Sequence, residues 1–367
     1  MIMITIVLFL LVLVYVVTII YLIHGCSKIN SFDCLELTPK TKFSIIVPFR
    51  NEAENLPKLL NSFSKLNYPN DFFEVILVDD ASDFRLQIAD YRFQISIINN
   101  NRVSNSPKKD AIVTAMHVAQ NEWIITTDAD CVVHENWLLV LDNYIQPNQV
   151  SMIAGGVTYN CEDSFLHHFQ QLDLASLQGA TIGSFGLGKG FMCNGANFAY
   201  TKSIFQELNG FDGNDGIASG DDVFLLQKAT ARFAEKVHYL KSENNIVVTK
   251  PMNDWKSLFY QRVRWASKTG SYQSSFGKSL GLVVFGGNIG VWFVVYGLLF
   301  WKANFFLLCF LLFAKIVVDF FLIQNTNIFL KNKTRFYLIS SLLYPFFSVI
   351  VALYSLFGKY EWKGRKF

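Results

Sequence analysis

The sequence predicts an α/β domain built on a mainly parallel sheet and held between hydrophobic segments long enough to cross a membrane. Three observations predict it. Between Phe43 and Lys250, short apolar runs alternate with helical stretches, the pattern of βαβ units. Runs of membrane-spanning length, nearly free of charge, lie at both ends of the chain. Three of the central apolar runs close on polar and acidic clusters, and parallel sheets bind ligands beyond the carboxyl ends of their strands.

The composition supports this division. Of 367 residues 51% are hydrophobic and 35 are Phe, too apolar for a soluble enzyme alone. The formal net charge of +3 gives no basic surplus for nucleic acid, which is not an expected partner. Cys26, Cys34, Cys131, Cys161, Cys193 and Cys309 form no CxxC pair, so they read as reduced thiols and not as a zinc site or disulfide framework.

The run Ile2–Ile23 carries no charge and, at about 1.5 Å per residue, spans a hydrocarbon core of about 30 Å. It lacks the basic start and cleavage site of a signal peptide, so it is expected to persist as an anchor over residues 1–25. Leu280–Trp301 and Phe336–Phe357 are also free of charge, and Ala303–Ile323 holds only Lys315 and Asp319. Those two are four residues apart on one helix face, where they can neutralise each other as a structural pair or serve as a functional one. Lys28, Lys40 and Lys42 follow the first run, and Lys331, Lys333 and Arg335 separate the last two. Both groups suit the cytoplasmic side. An integral protein of the cell or inner membrane follows, with its central domain in the cytoplasm. The basic tail Lys359, Lys363, Arg365 and Lys366 conflicts with three further full crossings. Phe336–Phe357, interrupted by Pro345, is therefore expected to be re-entrant or interfacial. The expected organisation is an anchor at 1–25, a cytoplasmic domain at 40–250, an interfacial segment at 251–278 and a membrane domain at 279–367.

Within the central domain, Phe43–Val47, Glu74–Val78 and Trp123–Thr127 read as buried strands, with helices over Asn51–Leu66 and Lys109–Gln120. Asp128-Ala-Asp130 closes the third strand. Two carboxylates so spaced can hold a hard divalent cation that bridges a diphosphate, although Asp is also common in solvated turns. Asp79-Asp80 closes the second strand and can accept hydrogen bonds from a nucleoside, or cap a helix. Lys108 is equally a phosphate-neutralising group or a surface lysine. Gly220-Asp221-Asp222 opens a helix, offering a general base or a favourable dipole contact. Gln261, Arg264 and Trp265 fall on one helical turn ahead of the second membrane run. An amide, a guanidinium and an indole there can bind a diphosphate and stack on a sugar, or anchor an interfacial helix. His167, His168 and Trp137 read as structural.

In this order the clusters resemble the family 2 glycosyltransferases and their ceramide-glucosyltransferase relatives. The resemblance runs from about Phe43 to Trp265. It rests on Val47-Pro-Phe-Arg-Asn-Glu52, Val78-Asp-Asp-Ala-Ser82, Asp128-Ala-Asp130, Asn197-Phe-Ala-Tyr200, Gly210-Phe-Asp212, Gly220-Asp-Asp222 and a QxxRW signature at Gln261, Arg264 and Trp265. The resemblance implies a GT-A fold, a nucleotide-diphosphate sugar donor (UDP by family habit), Mg²⁺ or Mn²⁺, and inversion at the anomeric carbon. Donor contacts would come from Pro48, Glu52, Asp79, Asp80, Lys108, Asp128 and Asp130, with Asp128 and Asp130 holding the metal. Asp222 would be the base, and Gln261, Arg264 and Trp265 would close over donor and acceptor. The family often has Glu-Asp where this chain has Asp221-Asp222, which leaves Asp221 as the competing base. Four candidate segments are few to line a polymer channel, so a membrane-lipid acceptor is expected. A processive polysaccharide synthase is the alternative. A transporter or sensor with a nucleotide-binding domain would be expected to show repeated membrane halves, and none are visible.

Overall fold

The computed structural model describes residues 2–84, 90–214, 216–300, 305–357, 361–362 and 365–366. Trp301 and Ala303, at the ends of two expected membrane runs, lie outside the described residues, as do Lys359 and Lys363 of the basic tail. The chain divides into a unit of Ile29–Asn160 with Gly190–Lys250, and a unit of Met1–Lys28, Cys161–Lys189 and Pro251–Phe367.

The first unit is built on a sheet. Its strands are β1 (Phe43–Phe49), β2 (Phe73–Asp79), β3 (Gln94–Asn99), β4 (Trp123–Thr126), β5 (Met152–Gly155), β6 (Val157–Tyr159), β7 (Phe198–Thr201), β8 (Val237–Leu240) and β9 (Val247–Thr249). Seven of them form one sheet in the order β3-β2-β1-β4-β7-β5-β8, while β6 and β9 pair separately. β1 runs parallel to β2 and β4, and β2 parallel to β3. β7 is antiparallel to both β4 and β5. The sheet is thus mixed but mostly parallel. The near-continuous apolar runs of β1, β2 and β4 are what a parallel strand covered on both faces requires.

In this unit the chain also forms α2 (Leu56–Phe63), α3 (Pro107–Val118), α4 (Trp137–Ile145), α6 (Lys202–Glu207) and α7 (Asp221–Arg232). Leu56, Leu59, Leu60 and Phe63 of α2 share a core with Trp137, Leu138 and Leu141 of α4 and with Ile45, Val47, Val75 and Leu77 of the sheet. The rings of Phe63 and Trp137 stack with centroids 6.2 Å apart. Trp137 is structural as expected: it is fully buried, and its indole N–H donates to Asn197 Oδ1 at 3.1 Å. The helix expected from Asn51 begins later, at Leu56. Asn51 is left-handed, with φ +56°, and the Glu52 carbonyl accepts from the Asn55 and Leu56 amides. The polar loop therefore uses up the first turn of the expected helix.

The register Phe49↔Asp79 and Ile46↔Thr126 brings the carboxyl ends of β1, β2 and β4 to one edge of the sheet. β2 and β4 flank β1, so the two strands run roughly 10 Å apart, two strand spacings, with β2 reaching three residues further than β4.

The second unit is helical: α1 (Ile2–Lys28), α5 (Phe165–Gly186), α8 (Trp255–Ser267), α9 (Ser275–Phe300), α10 (Phe305–Phe329) and α11 (Tyr337–Phe357). Among the described residues, four helices, Thr5–Lys28, Ser275–Phe300, Phe305–Phe329 and Tyr337–Phe357, are long and apolar enough to cross a membrane. Pro345 lies inside α11 without ending it. Residues 161–189, within the stretch expected to form the central domain, group with this helical unit. α5 is too polar to read as a membrane span, yet it buries Gln170, Gln171, Asp173 and Gln178. Its partners explain this: Gln171 donates to Asn327 Oδ1 at 2.8 Å and Gln170 to the Met252 carbonyl at 2.9 Å. α1 and α5 meet backbone to backbone at Gly25 and Gly183, where a Cβ on Gly25 would fall 2.1 Å from the Gly183 carbonyl oxygen. Only glycine permits that approach. Lys315 and Asp319 do pair, at 2.7 Å, and Tyr15 of α1 donates to the same carboxylate at 2.7 Å. The pair thereby ties α10 to α1. His167 and His168 are buried, the first accepting from the Glu162 amide through Nδ1 at 3.1 Å.

Candidate functional site

The edge where β1 and β2 end is held by reciprocal hydrogen bonds. The Asn51 amide donates to Ser82 Oγ at 3.0 Å, and the Asp83 amide to Asn51 Oδ1 at 2.9 Å. Asp79, half-buried, accepts the Ser82 amide at 2.9 Å through one carboxylate oxygen. Asp80 is 6% exposed and accepts from Asn100 Nδ2 at 2.8 Å and from Arg102 at 3.5 Å. Of the expected nucleoside-binding pair, Asp79 is thus the more accessible, while Asp80 is locked by the residues that follow β3. Glu52 accepts from Asn55 Nδ2 at 2.6 Å, and Asn55 in turn accepts from Lys250. Pro48 lies beyond the β4 ladder, whose last β1 partner is Ile46, so its missing N–H costs no bond there.

The densest charge lies beyond the carboxyl end of β4. Lys108, in the first turn of α3, places Nζ 2.7 Å from Asp128 Oδ1 and 3.5 Å from Asp221 Oδ2. Asp222 accepts from the Gly195 amide at 2.8 Å and, through its other oxygen, from the Val223 amide at 2.7 Å. These two bonds orient the Asp222 carboxylate. Asp221 and Asp222 open α7, where the helix dipole favours negative charge. Burial alone would push the Lys108 ammonium down, but the carboxylates of Asp128, Asp221 and Asp222 outweigh it and hold it above the ordinary lysine value. Lys108, Asp128, Asp221 and Asp222 therefore come together, and Lys108 is no isolated surface lysine.

Gly195 is a member of this site that the sequence reading missed. A Cβ at that position would stand 3.1 Å from Lys108 Nζ and 3.2 Å from Asp221 Oδ2. Its carbonyl also accepts from Thr126 Oγ1 at 3.0 Å, which fixes the turn before β7 to the end of β4. Lys109 was missed as well. It is 2% exposed, and its ammonium donates to the carbonyls of Asn214 and Ile217 at 2.5 and 3.0 Å. The rings of Phe224 and Phe211 lie 5.1 and 5.9 Å away. On the preceding part of the same loop, Lys228 Nζ donates to the carbonyls of Gly210 and Asp212 at 2.9 and 2.7 Å. Two lysines thus gather the loop that leads into Asp221 through the left-handed Gly220, φ +82°. The Lys-Lys doublet was the available signal, because consecutive residues in a helix's first turn point in different directions.

In the helical unit, α8 carries Gln261, Arg264 and Trp265, all half-buried. The residue that organises this turn is Arg262, inside the signature but not one of its defining positions. Its guanidinium bonds to Gln261 Oε1 and Asp173, and its Cζ lies 4.2 Å from the Trp265 ring centroid. Tyr344 of α11 donates to the same Asp173 at 2.8 Å.

Among the described residues, no three His, Cys, Asp or Glu side chains gather as a metal cage. A divalent ion at Asp128 and Asp130 would draw its remaining oxygen ligands from a diphosphate and water, as Mg²⁺ and Mn²⁺ favour. The donor chemistry fits, because Asp128 and Asp221 already converge on a cation, the Lys108 ammonium.

Comparison with known proteins agrees with this architecture. Residues 44–208, slightly under half of the chain, match the model of Glycosyl transferase family 2. Residues 44–208 are thus similar to the family 2 glycosyltransferase domain. The poly(ribitol-phosphate) β-N-acetylglucosaminyltransferase TarS of Staphylococcus aureus is 37% identical over 101 residues, 26% of this chain and 18% of TarS. The match thus spans under a fifth of that relative's length. Glycosyltransferase AglE of Haloferax volcanii is 22% identical over 190 residues, 51% of this chain and 60% of AglE. Among solved structures, the mannosyltransferase PcManGT of Pyrobaculum calidifontis, in complex with GDP-Man and Mn²⁺, superposes with a TM-score of 0.57 at 15% identity. That superposition covers 96% of this chain and 99% of the other. The fold is GT-A, flanked by four long apolar helices.

Proposed function

We propose that this chain is a membrane-anchored, inverting glycosyltransferase that moves a sugar from a nucleotide-diphosphate donor, expected to be a UDP-sugar, to a hydroxyl of a membrane lipid. The observation that carries the reading is the convergence of Lys108, Asp128, Asp221 and Asp222 beyond the carboxyl end of β4. A site of this kind pairs a cationic and carboxylate platform for a diphosphate with a carboxylate able to take a proton.

In the proposed reaction, Asp222 removes the proton of the acceptor hydroxyl as its oxygen bonds to the anomeric carbon. The bond from that carbon to the diphosphate oxygen breaks on the opposite face, and the electron pair leaves with the nucleoside diphosphate. Mg²⁺ or Mn²⁺, when bound at Asp128 and Asp130, would stabilise the charge on that leaving group. Lys108 adds positive charge beside it. Asp79 and Asp80, with Pro48 and Glu52 on the neighbouring loop, are the proposed nucleoside side of the site. Gln261, Arg264 and Trp265 are proposed to close over donor and acceptor, their turn braced by Arg262 on Asp173. The proposed cytoplasmic position of the sheet unit is supported by the basic residues near the membrane helices.

The lipid acceptor is favoured by the four apolar helices and by the aromatic surroundings of α8. Trp255, 44% exposed, packs beside Phe169 and Phe347, the composition of a membrane interface. The second reading, a polymer acceptor, draws on TarS, named for a poly(ribitol-phosphate). Membranes containing the full chain, incubated with a panel of radiolabelled nucleotide sugars and then extracted with organic solvent, separate the readings. One labelled lipid bearing a single sugar is the expected result. A ladder of products favours the polymer reading, and no transfer from any donor refutes the activity.

A further inference from the structure

We infer that Lys108 is a built-in counter-cation that occupies the metal-binding carboxylate in the donor-free protein, so that a divalent ion is admitted only together with a diphosphate. The inference rests on the proposed function and concerns the order in which that site fills. Lys108 Nζ lies at 2.7 Å from Asp128 and reaches Asp221 at 3.5 Å. It therefore bridges the carboxylate assigned to metal–diphosphate binding and the acidic pair assigned to base chemistry. Its side chain is 20% exposed and that of Asp221 is 10% exposed, whereas Asp128 is 42% exposed. The ion pair is thus anchored at its inner end and open to solvent at the Asp128 end.

The surroundings keep the ammonium in place. Gly195 leaves just the room it needs, since a Cβ there would stand 3.1 Å from Nζ. Lys109, the next residue, is held by the carbonyls of Asn214 and Ile217, so the start of α3 cannot easily swing away. A divalent ion approaching Asp128 alone has to displace the ammonium that already occupies that carboxylate at 2.7 Å, and the two cations repel at close range. A nucleoside diphosphate changes this balance. Its oxygens offer Lys108 another acceptor, and Asp128 is then released to the metal, with Asp221 retaining the lysine. Lys108 acts in this account as a positioning residue as well as a neutralising one.

The test measures Mn²⁺ binding, by electron paramagnetic resonance of free Mn²⁺, to the full chain in lipid nanodiscs with and without UDP or GDP. The natural protein is expected to bind Mn²⁺ weakly alone and at least tenfold more tightly with the nucleotide. In Lys108→Gln, Mn²⁺ alone binds at least tenfold more tightly than in the natural protein, and the gain from nucleotide collapses. Lys108→Met is run alongside so that the result does not depend on one replacement folding, and Lys108→Arg is expected to keep metal-only binding weak. Unchanged or weaker metal-only binding in both neutral variants, with nucleotide dependence intact in the natural protein, overturns this inference and leaves the proposed function standing. Absence of Mn²⁺ binding to the natural protein even with nucleotide overturns both.

Discussion

Replacing Lys109 by Met removes an ammonium from the interior while keeping most of the side chain's volume. The Lys109 stem is buried, and Nζ donates to two loop carbonyls between two phenylalanine rings. Each bond to a charged donor contributes about 1.5–3 kcal/mol, and the ring contacts add about 1 kcal/mol or more. Relief from burying a charge returns several kcal/mol of this, and Met makes its own contacts with the rings. The net loss is about 3 kcal/mol, carried by the loop and not by the sheet. Local opening at the Asn214, Gly216 and Ile217 amides should then rise by about two orders of magnitude, which hydrogen exchange reads directly. Because this loop leads into Asp221 and Asp222, turnover should fall roughly 10–100-fold while donor affinity changes little. Normal turnover with normal exchange protection would refute the claim that Lys109 places the acidic pair.

Asn197→Ala strips partners from the buried Trp137 indole and from the carbonyls of Gly156 and Asn245. Chemical denaturation should show a loss of about 3 kcal/mol, and a loss under 1 kcal/mol would mean the network is replaceable. Gly25→Ala drives a methyl into the Gly183 carbonyl, so detergent-solubilised protein should lose about 1–3 kcal/mol or more, seen as earlier thermal aggregation. His168 carries a lowered pKa, pushed down by burial and then by Arg335. Its neutral form is favoured on folding, so the stability it contributes is present above the unfolded value of about 6.5 and is lost as pH falls through the folded value. Unfolding midpoints measured from pH 7.5 to 5.5 should therefore decline, and His168→Asn should flatten that slope.

How much of this was legible in the sequence follows from strand length and burial. β1, β2 and β4 are apolar on both faces and stand out as uninterrupted runs. β3 is an edge strand with an exposed and half-buried pattern, and β5, β7 and β8 have four residues each, too few for a period to emerge. α5 was hidden by its own polar residues, whose partners come from distant segments such as Asn327 and Met252. In the site, the acidic clusters were visible because each ends a strand or opens a helix. Gly195 and Lys109 were not, since their roles depend on loops far away in sequence, at 221–222 and 214–217. Arg262 shows the same limit: the signature residues Gln261 and Trp265 were seen, but the arginine between them that contacts both was not.

The central claim is that this site transfers a sugar with Asp222 as the base, and a single-turnover comparison of the purified natural chain with Asp222→Asn tests it most directly. The asparagine keeps the shape and an oxygen for the Gly195 amide while giving up the bond from the Val223 amide, and nucleotide affinity should stay within about twofold. The rate of transfer should fall by about 10²–10⁴. Near-natural transfer by Asp222→Asn would contradict the account.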